Sequence, residues 1–197
     1  MDGRTARGLK SRKIIMEEAV NMASVEGLEG LSMGGLASRA ALSKSGVAVL
    51  FGSKEQLQLA TVDAAREVFI AAVIAPAHKA APGLQRLRVL LDGWLSYSRD
   101  RVFTGGCFFA AASTEFDSKS GPVKEAVAKV VLEWHSLLAA EIKTAADTGE
   151  LLGVDVDQLV FETTAFLEAA NARSLLIGSA EPYSAAKRAL IKIYGDW

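Results

Sequence analysis

The chain has 197 residues, half of them apolar, one cysteine and a formal net charge of −1. That length holds one large or two modest domains. The lone Cys107 excludes an intramolecular disulfide and fits a reducing compartment, and the near-neutral balance excludes a broad polyanion-binding surface.

The charge is unevenly spread. Residues 1–54 hold eight Lys/Arg against five Asp/Glu, a local +3, while the remaining fourteen against eighteen give −4. A basic end on a mildly acidic body predicts a localised nucleic-acid contact. It opens with Arg4, Arg7, Lys10, Arg12 and Lys13 against Asp2, cations placed to follow phosphates or the minor groove. A frayed, solvated terminus is the other reading of the same residues. No hydrophobic leader precedes the first predicted helix, and the longest apolar run, Val68 to Ala77, is too short to span a bilayer. A cytoplasmic protein without a membrane segment is expected.

The first helix is predicted over 11–26, burying Ile15, Ala19, Met22 and Ala23 and ending at Gly27. Leu28 and Leu31 plug a small three-helix core. Ser32 then reads as the N-cap of a short helix with Leu36, Ala37 and Ala40 on one face. Ala41 and Leu42 turn the chain, and Ser43 caps a second short helix through Leu50 that Gly52 stops. Ser53 with Gln56 forms a capping-box pattern for the next helix. Helix, tight turn, helix is the geometry that lays the second helix in a DNA major groove. That second helix begins Ser-Lys-Ser-Gly, small groups and one cation suited to close approach to phosphates and base edges. Val47, Phe51 and Leu57 are its expected core.

A long helix follows to about Ala75, with Leu57, Ala60, Ala64, Val68, Ala71 and Ala72 as its apolar stripe. It starts beside the DNA-facing helix and ends in the larger body, so it is the expected mechanical link. After Pro76, Pro82 and Gly83 comes a fifth helix with Leu84, Leu87, Leu91, Trp94, Leu95 and Ser98 on one face. Gly105 and Gly106 precede a short sixth helix, and Pro122 opens a seventh carrying Val123, Val127, Val130, Val131, Trp134, Leu137 and Leu138 before Gly149. Asp155 with Gln158 starts an eighth that ends at Gly178, and Pro182 opens a ninth with Tyr183, Ala186, Leu190, Ile193 and Tyr194 on its inner face. No strand-like alternation and no repeat is present. The fold class is all-α, about nine helices.

The run ALSKSGVAVLFGSKEQL, residues 41–57, resembles the recognition segment of the TetR-type transcriptional regulators. Leu42, Ser43, Phe51, Ser53, Lys54, Glu55 and Leu57 fall on that family's pattern. Ala41 stands where a turn glycine is usual, Ala48 where an aromatic is usual, and Leu50 where a polar or aromatic residue often meets phosphate. The segment GGCFFAAASTEFDSKSGPV also resembles the sixth-to-seventh helix region of one subgroup. The resemblance implies an N-terminal DNA-binding domain over 1–53, with the helix-turn-helix at about 33–52, and a ligand-binding and dimerisation domain over 54–197. It implies a cytoplasmic homodimer on palindromic double-stranded operator DNA, with a small, largely apolar effector and a four-helix bundle formed by the last two helices of each subunit.

On that reading Ser43, Lys44, Ser45, Gly46 and Val49 face the groove, while Ser32, Lys54 and the cations Arg4, Arg7, Lys10 and Arg12 hold phosphates. Trp94, Phe108, Phe109, Trp134 and Phe166, each a core residue when taken singly, form as a group the candidate ligand pocket. Phe161, Leu175, Leu190 and Ile193 are the candidate dimer interface. Two other classes stay open: a helical ligand- or protein-binding dimer with little DNA affinity, which Ala48 and Leu50 suggest, and an enzyme. The enzyme is disfavoured. His78 and His135 have no second ligand at metal-binding spacing, so no metal or cofactor is expected. Cys107 reads as a small buried hydrophobe, Glu115 and Asp117 as solvated or capping groups, and no nucleotide-binding glycine loop is present.

Overall fold

The computed structural model describes the backbone from Gly3 and the side chains from Arg12, both through Trp197. Its helices are α1 Gly3–Glu26, α2 Met33–Arg39, α3 Lys44–Phe51, α4 Lys54–Phe69, α5 Leu84–Arg99, α6 Phe108–Phe116, α7 Pro122–Asp147, α8 Val156–Ile177 and α9 Glu181–Tyr194. The protein is all-α, with no strand among the described residues. α1 starts eight residues before the expected Ser11.

α4 runs on through a π-helical turn, Ile70–Ile74, and one α-turn, Ala75–Ala77. The Ala75 N–H donates to the carbonyl of Ile70, five residues back. Pro76 follows, and a proline inside an α-helix crowds the carbonyl four residues earlier; the wider turn relieves that crowding. The buried face is Leu57, Val62, Ala65, Phe69, Val73 and Ala77. Of the expected stripe only Leu57 is buried; Ala60, Ala64, Val68 and Ala72 are half-buried and Ala71 is exposed. Burial is worth more for valine and phenylalanine than for alanine, since it scales with apolar area. The larger side chains therefore set the helix's rotation.

Two compact units form. The first holds Met1–Glu67 and Phe103–Ala128, the second Val68–Val102 and Lys129–Trp197. They do not divide at residue 53. In the first unit α6 and the loop before it are tied to α1 and its exit. The Gly105 N–H donates to Ser24 Oγ at 3.0 Å, and a β-carbon at Gly105 would lie 1.8 Å from the Ser24 carbonyl oxygen, so only glycine fits. The Glu115 carboxylate accepts from the backbone N–H groups of Leu28 and Glu29 at 2.7 and 2.8 Å. Ile15, Leu28, Leu31, Leu36, Val47 and Leu57 are fully buried in this unit's core.

The second unit is built on α5. Its whole predicted face, Leu84, Leu87, Leu91, Trp94, Leu95 and Ser98, is buried, together with Leu90 and Tyr97. Glu141 satisfies the start of α5, accepting from the Gly83 N–H at 2.8 Å and from Arg86 at 3.2 Å. α8 begins at its Asp155 cap, which accepts from the Gln158 N–H, and ends at Gly178 in the left-handed conformation. Phe69 packs edge-on against Tyr97 and Trp134, at 5.4 and 5.3 Å between ring centres.

Candidate nucleic-acid interface

Capping and one strained turn set the α2–α3 corner. Ser32 Oγ accepts from the Gly35 N–H at 3.0 Å and opens α2. α2 ends with the Ala41 N–H bonded to the Ser38 carbonyl at 3.4 Å and the Leu42 N–H to the Ala37 carbonyl at 2.8 Å. That bond pair is the helix end that ordinarily places glycine in the left-handed region; here Ala41 occupies it, at φ 53°. Ser43 then caps α3, accepting from the Gly46 N–H at 3.1 Å and lying 3.2 Å from Ser45 Oγ.

α3 turns Val47 and Phe51 inward, 0% and 6% exposed, as expected. Residues four apart share a helix face, so Ser45 and Val49 crest the opposite side. Ser43, Lys44, Ser45 and Gly46 are all exposed, and Val49 is 86% exposed. Gly52 closes α3 at φ 73°, ψ −61°, with the Ser53 N–H bonded to the Phe51 carbonyl at 2.8 Å. This is a three-residue γ-turn, a tighter stop than the left-handed cap expected there. Ser53 Oγ then caps α4 by accepting from the Gln56 N–H at 3.1 Å.

The cations divide into three groups. The side chains of Arg4, Arg7 and Lys10 lie outside the described residues. Arg12 sits over the Phe51 ring, 5.0 Å from its centre, and donates to the Leu50 carbonyl at 3.4 Å, bracing the end of α3 from α1. Lys54 donates to the Glu29 carbonyl at 2.6 Å and pairs with its carboxylate at 3.1 Å. That hydrogen bond, with help from Lys119 at 3.5 Å, holds the Glu29 carboxyl below its ordinary range. Sequence reasoning missed the part Glu115 plays here. Its carboxylate seats the α1–α2 link from 86 residues away, and no local pattern announces that.

Phe108 and Phe109 lie in the first unit and stack edge-on at 5.2 Å. Trp94 and Trp134 lie in the second, 3% and 9% exposed. Phe166 lines a groove of about 370 Å³ between α8 and α9, with Arg173, Ile177 and Ala185 among its walls; neither tryptophan lines it. On the α8–α9 surface Phe161 is 68% exposed and Leu175 41%, joined by Leu176 and Ile177, which the sequence reading passed over. Ile193 is half-buried. Leu190 is 0% exposed within one chain and has no surface to offer a partner; this corrects its assignment to the interface. Burial pushes the His135 imidazole below its ordinary pKa and the Glu168 carboxyl above. Among the described residues no group of three His, Cys, Asp or Glu is placed to hold a metal ion, and no helix is long and apolar enough to cross a membrane.

Residues 15–61 match the family model of bacterial regulatory proteins, tetR family, and residues 83–190 match that of the tetracyclin repressor-like C-terminal domain. No curated protein matches the chain. Among solved structures, the chain is similar to a TetR transcriptional regulator from Chloroflexus aurantiacus J-10-FL, at 26% identity over 95% of each chain with a TM-score of 0.83. It is also similar in fold to a TetR-family regulator from Agrobacterium tumefaciens, at 18% identity over 94% of this chain and 97% of that one, TM-score 0.83. A third similar structure is AibR in complex with isovaleryl coenzyme A and operator DNA, at 17% identity over 95% of this chain and all of the other, TM-score 0.78.

Proposed function

We propose, from the premise that this chain belongs to the tetR family of bacterial regulatory proteins, that it acts as a dimeric cytoplasmic repressor that leaves its operator when a small, largely apolar ligand binds. The observation that carries the DNA-binding part is α3 itself. It is a serine-capped helix with its apolar side buried and Ser43, Lys44, Ser45, Gly46 and Val49 turned to solvent. An α-helix of that width enters a B-DNA major groove. Lys44 and the N-terminal cations supply the salt-sensitive attraction to phosphates.

The exposed apolar side chains Phe161, Leu175, Leu176 and Ile177 on α8 support a two-fold dimer. A dimer places two α3 helices on half-sites about 34–36 Å apart or a multiple of that. α4 carries the chain from the first unit into the second, and a ligand acting through it needs only a coupling of about 1–3 kcal/mol to weaken operator binding roughly five- to 150-fold. AibR, solved with isovaleryl coenzyme A and operator DNA, supports an effector carrying a short, branched apolar acyl group as the first to try.

The test is selection of genomic fragments by the full chain at low salt, followed by affinity against salt concentration. Palindromic sites and a steep negative slope are expected. Lys44→Ala should flatten the slope by about one unit, whereas Lys54→Ala, already neutralised by Glu29, should flatten it less. A dimer that binds no fragment at low salt overturns the regulator reading in favour of a ligand- or protein-binding dimer of the same fold.

A further inference from the structure

The exposed surface of α3 is poor in base-reading side chains. Residues 43–52 contain no arginine, asparagine or glutamine, the residues that make bidentate contacts to guanine and adenine. The Ser43 hydroxyl is occupied by the Gly46 N–H and by Ser45 Oγ. Lys44 is the one long polar side chain on this helix. Val49 is instead its most exposed apolar side chain, at 86%, on the crest opposite Val47 and Phe51. The flanking Ser45 and Gly46 are small, so the two Val49 methyl groups stand clear of their surroundings.

Burying such a group in the major groove is favourable only against apolar surface. The 5-methyl group of thymine is the apolar feature on the base edges there. We infer that Val49 is a specificity-determining residue that reads one thymine methyl in each half-site. This rests on the DNA-binding reading above and adds a sequence requirement to it.

Replacing single half-site thymines of the selected operator by deoxyuridine removes one methyl and leaves every hydrogen-bonding edge intact. At one position per half-site, wild-type affinity should fall about fourfold, the factor equivalent to about 0.8 kcal/mol per buried carbon. With both half-sites substituted it should fall about 15-fold. Val49→Ala should bind the thymine operator more weakly and distinguish uracil from thymine there by less than about twofold. Because Val49 is solvent-exposed, the variant should melt as wild type does; Val49→Thr, which keeps one methyl, should retain most of the discrimination. Equal wild-type affinity for the thymine and uracil operators at every position overturns the inference. Full discrimination surviving in Val49→Ala overturns it as well. Absence of binding to any fragment at low salt strikes the DNA-binding reading instead, and the two failures are distinct.

Discussion

Two helices of this protein end on the same backbone turn with a residue other than glycine in its left-handed position, and only one of these two turns is braced by that residue's side chain. α2 leads through Ala41 at φ 53°, α5 through Arg101 at φ 54°. In each, two N–H groups bond back to carbonyls three and five residues earlier: Ala41 to Ser38 and Leu42 to Ala37, Arg101 to Ser98 and Val102 to Tyr97. Neither residue is glycine, so each carries roughly 1–2 kcal/mol of left-handed strain. Arg101 answers it with its guanidinium, which donates to the Ser98 carbonyl at 3.3 Å, Tyr183 Oη at 3.2 Å and Ser174 Oγ at 3.0 Å. Ala41, exposed, has only a methyl group, and the α2–α3 packing on either side holds it. Strained residues persist where their surroundings over-determine them. The second unit does this with polar bonds; the candidate DNA-binding corner does it with packing alone.

The largest expected effect comes from removing the brace. Arg101→Ala keeps the strained φ and strips bonds from Ser174 and Tyr183, which are 2% and 3% exposed. It should destabilise the protein by about 2–4 kcal/mol, a loss of roughly 4–16 °C in Tm at fixed protein concentration. Arg101→Gly loses the same bonds but relieves the strain, so it should melt above Arg101→Ala. The gap between the two variants measures the strain at this turn. Equal melting of both would show that the brace compensates for nothing.

The braced corner was only half legible in the sequence. The buried face of α5 follows from period-3.6 spacing, and the caps Ser32, Ser43 and Asp155 follow from residue type. These are local signals. Arg101 meets Ser174 and Tyr183 more than seventy residues away, and Glu115 meets the α1–α2 link at a similar separation. The alanine-rich stretch of α4 carries two adjacent apolar stripes, and spacing alone does not say which of them is buried. Leu190 shows a further limit: periodicity marks a face as apolar without saying whether the same chain or a partner covers it.

Glu115 is the first unit's counterpart to Arg101. Glu115→Ala strands the N–H groups of Leu28 and Glu29, and of these the Leu28 group is part-buried. A loss of about 1–3 kcal/mol is expected. Glu115→Gln keeps an acceptor oxygen for one of the two donors and should lose less. Identical thermal melts for the alanine variant and wild type would remove Glu115 from any structural role.

Tyr183→Phe trims the brace without touching the strained residue. Ser98 Oγ donates to Asn171 Oδ1 at 2.8 Å, so the Tyr183 hydroxyl donates to Ser98 and accepts from Arg101. Removing it should cost about 0.5–1.5 kcal/mol, less than Arg101→Ala. The two losses should add to less than their sum in the double variant, because they share one bond. Additive losses would place them in separate networks.

The smallest effect is at the unbraced corner, and its sign is opposite. Ala41→Gly removes the left-handed strain and takes away only an exposed methyl. The gain is offset by the extra freedom glycine has in the unfolded chain, about 0.4–1 kcal/mol. The net expectation is a stabilisation of about 0.5 kcal/mol, or one to two degrees in Tm. Operator affinity should stay within about twofold, because residue 41 fixes the turn and leaves the exposed face of α3 unchanged. If Ala41→Gly melts lower than wild type, the α2–α3 packing must hold the corner in a geometry that the methyl group helps to fix. In that case the alanine stands at residue 41 as a packing residue, and the contrast with Arg101 disappears.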